Sequence, residues 1–317
     1  EPVEDIVSSM IEHCDNISHK LNPGAGFRPI GDYVGETYKT IESRTQRDET
    51  DAIATGFRDL DKLLSGGLRP PNNLVIAARP GQGKTAYLSN ILLNAAFRGH
   101  ASAWFSLEMG AFEIIERMIA QVAEVDAGHM RTGFLNRDEW ARITEACGKL
   151  VDLPIYIDDS TNITISEMRA RARRLKTKID FELLGIDYLQ LITPPKYMLR
   201  QSEVQQISHI SKGIKFLAKE LNVITLPVSQ LSRESERRKD PRPKLSDLRS
   251  SGQIEQDADI VMFVYRQGMS DTVDENADLA QIILAKQRNG PIGDIELLYQ
   301  KQFTEFQNLS TREYVGY

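Results

Sequence analysis

The chain has 317 residues, a formal net charge of −6, 41% hydrophobic residues and two cysteines, Cys14 and Cys147. That length fits one large or two modest domains, no apolar run approaches the ~18 residues that span a bilayer, and the acidic balance excludes a surface coated in basic charge. Two cysteines without metal-like spacing and five scattered histidines predict reduced thiols in a cytoplasmic protein and no zinc site, and a first residue of Glu1 predicts a fragment or a processed chain.

In chain order, Val3, Ile6, Val7, Met10, Ile11, Cys14, Ile17 and Leu21 recur at three- and four-residue steps, which predicts an amphipathic helix. The run Asn22-Pro23-Gly24-Ala25-Gly26 breaks it. A second helical pattern places Ile30, Val34, Tyr38 and Ile41 on one face and ends in the polar stretch 43–50. Such a helix between a breaker and a polar linker has no core of its own, so it is expected to dock on this domain or on a neighbouring subunit.

From about residue 51, short apolar runs alternate with helical patterns. Strands are predicted at 74–78, 102–106, 155–157, 183–187, 223–226, 260–264, 282–285 and 295–298, and helices at 86–97, 112–124, 164–178 and 202–221. This rhythm predicts an α/β fold with a largely parallel sheet covered by helices and antiparallel strands near the end. Ligands of such sheets bind at the C-terminal ends of the strands.

Chemically able residues fall there. Leu74-Val75-Ile76-Ala77 runs into Ala78-Arg79-Pro80-Gly81-Gln82-Gly83-Lys84-Thr85. A strand, a Gly-rich turn and a helix opening on Lys-Thr make a phosphate-binding P-loop: backbone N–H groups cradle phosphate oxygens, Lys84 reaches the β and γ phosphates, and the Thr85 hydroxyl ligates Mg²⁺. The strict pattern has Gly where Ala78 stands, and a small residue fits there if its φ is negative. Asp187 ends the run 183–187, where a carboxylate beside a P-loop supports Mg²⁺. Glu108 follows the run 102–106 and is placed to deprotonate an attacking water. Gln230 follows the run 223–228 and is placed to bond a γ-phosphate. Pro227 predicts that this strand ends or bulges.

Residues 233–249 hold seven cations, including Arg233, Arg237, Arg238 and Arg249, against four carboxylates. Pro241 and Pro243 exclude a regular helix through this stretch, and a basic loop suits a nucleic-acid backbone. The run Arg169 to Lys178 lies on a predicted helix and is expected to be mostly solvated surface or a subunit contact. Lys286 and Arg288, two apart at a strand end, share a face and fit an arginine-finger role on a neighbour's γ-phosphate.

Taken together, the text at 55–61, AARPGQGKT (77–85), FSLEM (105–109), RTGFLNRDEWARI (131–143), IDYLQL (186–191), SQLSR (229–233), the run 247–266 and KQRNGPIG (286–293) resembles the ATPase domain of the DnaB-type replicative DNA helicases of bacteria and phages, which are RecA-like P-loop NTPases. The resemblance spans nearly all of 51–308 and accounts for Ala78, since this family's P-loop commonly begins Ala-Arg-Pro. It implies ATP and Mg²⁺ as cofactors and a homohexameric ring that moves 5′→3′ on single-stranded DNA, with a primase and a helicase loader as partners and no membrane. It implies Lys84, Thr85, Glu108, Asp187 and Gln230 as nucleotide-site residues, Lys286 and Arg288 acting in trans, and Arg249, Ser250 and Gly252 on a DNA-backbone loop. The family usually has Glu where this chain has Ser250. The implied organisation is a remnant of a helical N-terminal domain at 1–22, a linker with a docking helix at 23–50, and the ATPase domain at 51–317. A RecA-type recombinase shares the P-loop, Glu108 and Asp187, but the Lys286–Arg288 pair and the linker helix favour a ring.

Overall fold

The computed structural model describes residues 27, 29–46, 52–231, 238, 240–266 and 279–309, with only the backbone of helical residues 43–46 and 249–251. The helical pattern of residues 3–21, and Arg233 and Arg237, lie outside the described residues. Contacts divide the chain into two units, one ending at Asp51 and one beginning at Ala52. The first contributes helix α1 (Ile30–Gln46), on which Ile30, Val34, Tyr38 and Ile41 are all exposed.

The second unit runs α2 (Arg58–Leu63), β1 (Leu74–Ala78), α3 (Lys84–Ala96), β2 (Ser102–Ser106), α4 (Ala111–Ala123), α5 (Ala127–Thr132), α6 (Arg137–Leu150), β3 (Ile155–Asp158), α7 (Ile165–Lys176), β4 (Leu183–Asp187), α8 (Glu203–Leu221) and β5 (Ile224–Gln230). A 3₁₀ stretch (Leu245–Ser251) then leads into α9 (Gly252–Asp257), β6 (Ile260–Arg266), β7 (Leu279–Gln287), β8 (Gly293–Gln300) and β9 (Glu305–Asn308). The nine strands form one sheet in the order β3-β2-β4-β5-β1-β6-β7-β8-β9. The six strands from β3 to β6 in that order are parallel, and β7, β8 and β9 add on antiparallel.

The composition of each strand explains its place. β1, β2 and β4 are buried at every residue, as a parallel strand covered on both faces must be. Alternate residues of β1 feed two cores. Leu74, Ile76 and Ala78 pack with Tyr87, Leu88 and Ile91 of α3, whereas Val75 and Ala77 join Ile207, Ile210, Ile214 and Leu217 of α8. β7 instead alternates buried and half-buried residues, the pattern of a sheet with one covered face. The approach of α3 to the sheet requires Gly185 on β4, where a Cβ would stand 3.1 Å from Leu92 Cδ1.

Several expectations need correction. β5 neither ends nor bulges at Pro227: it continues to Gln230, with Ile186 opposite Pro227 and Val228 opposite Ile76. One missing N–H removes a single rung, and pairing on both sides carries the strand through. Helix α6 was not anticipated from periodicity, because only Glu139, Ile143 and Ala146 are buried, yet its N-terminus carries a complete Asn136–Glu139 capping box. The basic stretch 233–249 ends not as a loop but in the 3₁₀ turn that begins at Leu245. The arginines of α7 lie on exposed surface, as expected, and several of the helix's cations also form ion pairs. Arg169 and Arg173 bond Glu220 on α8, Arg171 bonds Asp158 at 2.8 Å, and Lys176 bonds Asp180 at 2.6 Å.

Candidate active site

Because β1, β2, β4 and β5 run parallel, their C-terminal ends lie along one edge of the sheet, and each delivers a functional side chain there. The register pairs Ala78 with Gln230 and Ser106 with Asp187. Gly81 and Gly83 take φ of 77° and 96° in the P-loop, and Gly83 caps α3. Ala78 is the last residue of β1 and is absent from the positive-φ residues, so its methyl group sits without strain. At Gly83 a Cβ would also meet Phe306 Cζ at 2.9 Å, so the turn is held from behind by β9.

Lys84, 8% exposed, donates to Glu108 and to Asp187 Oδ1, the latter at 3.1 Å. The Thr85 hydroxyl donates to Asp187 Oδ2 at 2.6 Å. Burial pushes the Asp187 carboxyl above its ordinary value, against the opposing pull of Lys84 and Thr85. The Lys84 ammonium also stands 4.5 Å from the Tyr188 ring centroid. A buried ammonium, a hydroxyl and two carboxylates within one hydrogen-bond shell form a site for a polyanion with a hard cation. Thr85 and Asp187 supply adjacent oxygen donors that fit Mg²⁺, which takes few protein ligands and otherwise uses water and phosphate. Among the described residues no group of three or more His, Cys, Asp or Glu side chains could hold a metal ion, and no helix is long and apolar enough to cross a membrane.

Three neighbours escaped sequence reasoning. Gln190 bonds Ser229 Oγ at 3.1 Å and the Gln230 carbonyl at 3.0 Å, and accepts from the Gln230 N–H, so it fixes the tip of β5. Arg266 donates its backbone N–H to Gln82, bonds the Gly81 carbonyl at 3.4 Å, and stacks 4.0 Å over Tyr299. The strand-tip rule that found Asp187 would have found Arg266 had β6 been extended by two residues. Gln190 lies within the motif IDYLQL without having been given a role, and nothing local marked Tyr299.

Lys286 and Arg288 lie elsewhere. β7 is antiparallel to β6, with Gln287 opposite Ile260 and Ile260 opposite Leu74. The pair therefore stands at the N-terminal edge of the parallel strands, about 13 Å along β1 from the P-loop edge. Lys286 donates to the Glu255 carbonyl and, at 2.9 Å, to the Ala258 carbonyl, while Arg288 donates to the Gln256 carbonyl at 3.0 Å. Burial, then the neighbouring Arg288 charge, hold the Lys286 ammonium below its ordinary value.

Among the basic residues, Arg238 is tied to Asp247 at 2.6 Å and to the Arg242 carbonyl at 3.0 Å, so it braces the chain ahead of the 3₁₀ turn. Gly252 has φ −50° with nothing within 4 Å of a built Cβ, so local packing makes no demand for glycine there. Arg249 and Ser250 lie on the 3₁₀ turn.

The model of the DnaB-like helicase C-terminal domain matches residues 52–308. This chain belongs to the DnaB-like helicase family. It is 41% identical to the replicative DNA helicase DnaB of Geobacillus stearothermophilus over 98% of this chain and 69% of that one. It is 42% identical to the replicative DNA helicase DnaC of Bacillus subtilis strain 168, over 98% and 68%. A solved DnaB-like replicative helicase, described with its interactions with primase, superposes with TM-score 0.80 at 34% identity, covering 98% of this chain and 73% of that one. A solved ATPase domain superposes at TM-score 0.83 with 36% identity, covering 90% of this chain and all of that one. The helicase family therefore carries the RecA-like α/β fold seen here.

Proposed function

We propose that this helicase hydrolyses ATP at the interface between two copies of itself, in a homohexameric ring that draws single-stranded DNA 5′→3′ and separates the duplex at a replication fork. The observation that carries this reading is the opposite placement of the two charged sets. The P-loop, Glu108 and Asp187 occupy one edge of the sheet, and Lys286 with Arg288 the other, so the pair can meet only a second copy's nucleotide.

Each residue then has a defined task. The P-loop, Ala78 to Thr85, wraps the phosphates, with Lys84 released from the carboxylates onto the β and γ oxygens. Thr85 and Asp187 would hold Mg²⁺, which would supply charge neutralisation to the phosphates. Glu108, half exposed, accepts the proton of the water that attacks the γ-phosphorus as the bond to ADP breaks. Arg288 and Lys286 of the neighbouring copy stabilise the charge on the transferred group. Gln230 pairs with Ala78 at the start of the P-loop and leads into the segment that carries Arg233, Arg237, Arg238, Arg249, Ser250 and Gly252, where DNA phosphates are held; its tip is the link between nucleotide state and DNA grip. Helix α1, with its exposed apolar face, docks on an adjacent copy. Primase and a helicase loader are the expected partners in the bacterial cytoplasm.

The test mixes Glu108→Gln chains with Arg288→Ala chains. Each is inactive alone, and mixed rings recover DNA-stimulated ATPase and unwinding of a 5′-tailed fork, because some interfaces then combine an intact Glu108 with an intact Arg288. No recovery at any ratio would refute the in-trans role. ATP turnover without strand displacement would return the chain to the filament-type alternative.

A further inference from the structure

We propose that Asp259 is the positioning residue for the trans-acting arginine: its carboxylate holds Arg288 in the orientation that presents the guanidinium to a second copy's phosphates. The inference rests on the interfacial reading above.

Asp259 is 8% exposed and sits in the short connection between α9 and β6. Its Oδ2 accepts the Asn73 N–H at 2.9 Å and also the Lys215 ammonium, and its own N–H donates to the Asn73 carbonyl at 2.9 Å. Asn73 immediately precedes β1, so Asp259 is clamped to the central strand from two directions and has no freedom to drift. The second carboxylate oxygen is left for Arg288: Oδ1 lies 3.3 Å from Arg288 Nε, and the Arg288 N–H donates to the Asp259 carbonyl at 3.0 Å.

The consequence is geometric. A guanidinium is planar with five donors in a rigid fork. Asp259 Oδ1 pairs ionically with the guanidinium on its Nε side and the Gln256 carbonyl takes one Nη2 donor, so the group is restrained from two directions. Nη1 has no hydrogen-bond partner among the described residues, and the side chain is half exposed. An arginine fixed in this way has already surrendered the rotamer freedom that a loose one would lose on meeting phosphate, and misplacement by about 1 Å can cost a hundredfold in rate.

A carboxylate beside a catalytic cation would be self-defeating if it cancelled the charge. Lys215, Lys286 and Arg288 face Asp259 here, and Glu255 is the other carboxylate acting on Lys286, so the cluster keeps an excess of positive charge. Lys215 occupies one lobe of Asp259 and leaves the other for orientation rather than neutralisation.

The test uses the assembled enzyme carrying Asp259→Asn, which is neutral and still able to accept the Asn73 N–H, or Asp259→Ser, which is neutral and shorter. The expected result is a kcat for DNA-stimulated ATPase about tenfold lower, a KM for ATP within about twofold of the parent, and an unchanged ring mass. Mixed with Glu108→Gln chains, either variant recovers activity. Mixed with Arg288→Ala chains it does not, because both defects lie on the same side of the interface. Parental kcat in both variants, recovery with Arg288→Ala, or failure of both variants to assemble would each reject the positioning role, the last by showing Asp259 to be a folding residue. The Glu108→Gln with Arg288→Ala control is read separately. If it fails, the interfacial reading falls; if it recovers while Asp259→Asn behaves as the parent, only the positioning role falls.

Discussion

The two edges of the sheet solve different problems with similar charges. At the P-loop edge, Lys84, Thr85, Glu108 and Asp187 converge within one chain, because four parallel strands deliver their C-terminal ends side by side. At the opposite edge, Lys286, Arg288 and Asp259 are organised around the end of α9, with cations bonded to helix carbonyls and no phosphate cradle near them. On the proposed reading, the first edge binds one end of a nucleotide and the second is a half-site that needs a neighbour. Catalysis would then be conditional on assembly.

The largest expected contrast between the edges comes from Lys84→Ala. Removing the cation at the P-loop edge should lower ATP turnover by at least about a hundredfold and weaken nucleotide binding by isolated chains, with circular dichroism unchanged. Arg288→Ala should lower turnover in the ring yet leave nucleotide binding by isolated chains at the parental value. Equal loss of binding in both variants, read by fluorescent-nucleotide titration, would collapse the distinction.

The next contrast is between two glycines. Gly83 has φ 96° and Phe306 behind it, so Gly83→Ala should cost about 2 kcal/mol of stability in addition to phosphate affinity. Gly252, leading towards the other edge, has φ −50° and open space, so Gly252→Ala should change stability by no more than about 0.5 kcal/mol. Urea denaturation of both variants decides the matter, and equal destabilisation would mean that the P-loop carries no special backbone constraint.

A smaller effect concerns DNA. Arg249→Ala should weaken single-stranded DNA binding and reduce its logarithmic salt slope by about one, leaving basal ATPase near the parental rate. An unchanged slope would move the DNA contact away from the 3₁₀ turn.

The smallest effect lies away from both edges. His129 bonds Glu139 at 2.8 Å, and this hydrogen bond raises its pKa above the ordinary 6.5. Glu139 is held below its ordinary 4.5, first by the Asn136 N–H and then by His129, so the pair's contribution is full between about 4.5 and 6.5 and is lost as pH rises through the folded value of His129 or falls through that of Glu139. In an NMR titration the His129 midpoint should stand above 6.5 and fall back in Glu139→Gln, while the nucleotide site is unaffected.

Much of the fold was legible because its signals are local. All eight anticipated strands are present, and the P-loop text identifies a strand, a turn and a helix together because glycine at positive φ and Lys-Thr at a helix start have few other uses. The same rule of carboxylates at strand tips located Glu108 and Asp187. Helix α6, β9 and the passage of β5 through Pro227 were not read, since each depends on partners far away in sequence: α6 on the small core formed with Ala123 and Val125, β9 on β8, and Pro227 on strands at both its sides.

The sequence by itself determined the elements, their parallel rhythm and the chemistry of the phosphate cradle, because periodicity and turn chemistry act over a few residues. The antiparallel strands near the end were also expected, but only the tertiary structure decided that β7 carries Lys286 and Arg288 to the far edge, that Asp259 waits there to catch Arg288, that Gln190 fixes the tip of β5, and that Tyr299 stacks on Arg266 beside the P-loop. Those placements arise from long-range pairing and packing, where one residue's surroundings are supplied by chain far away in sequence.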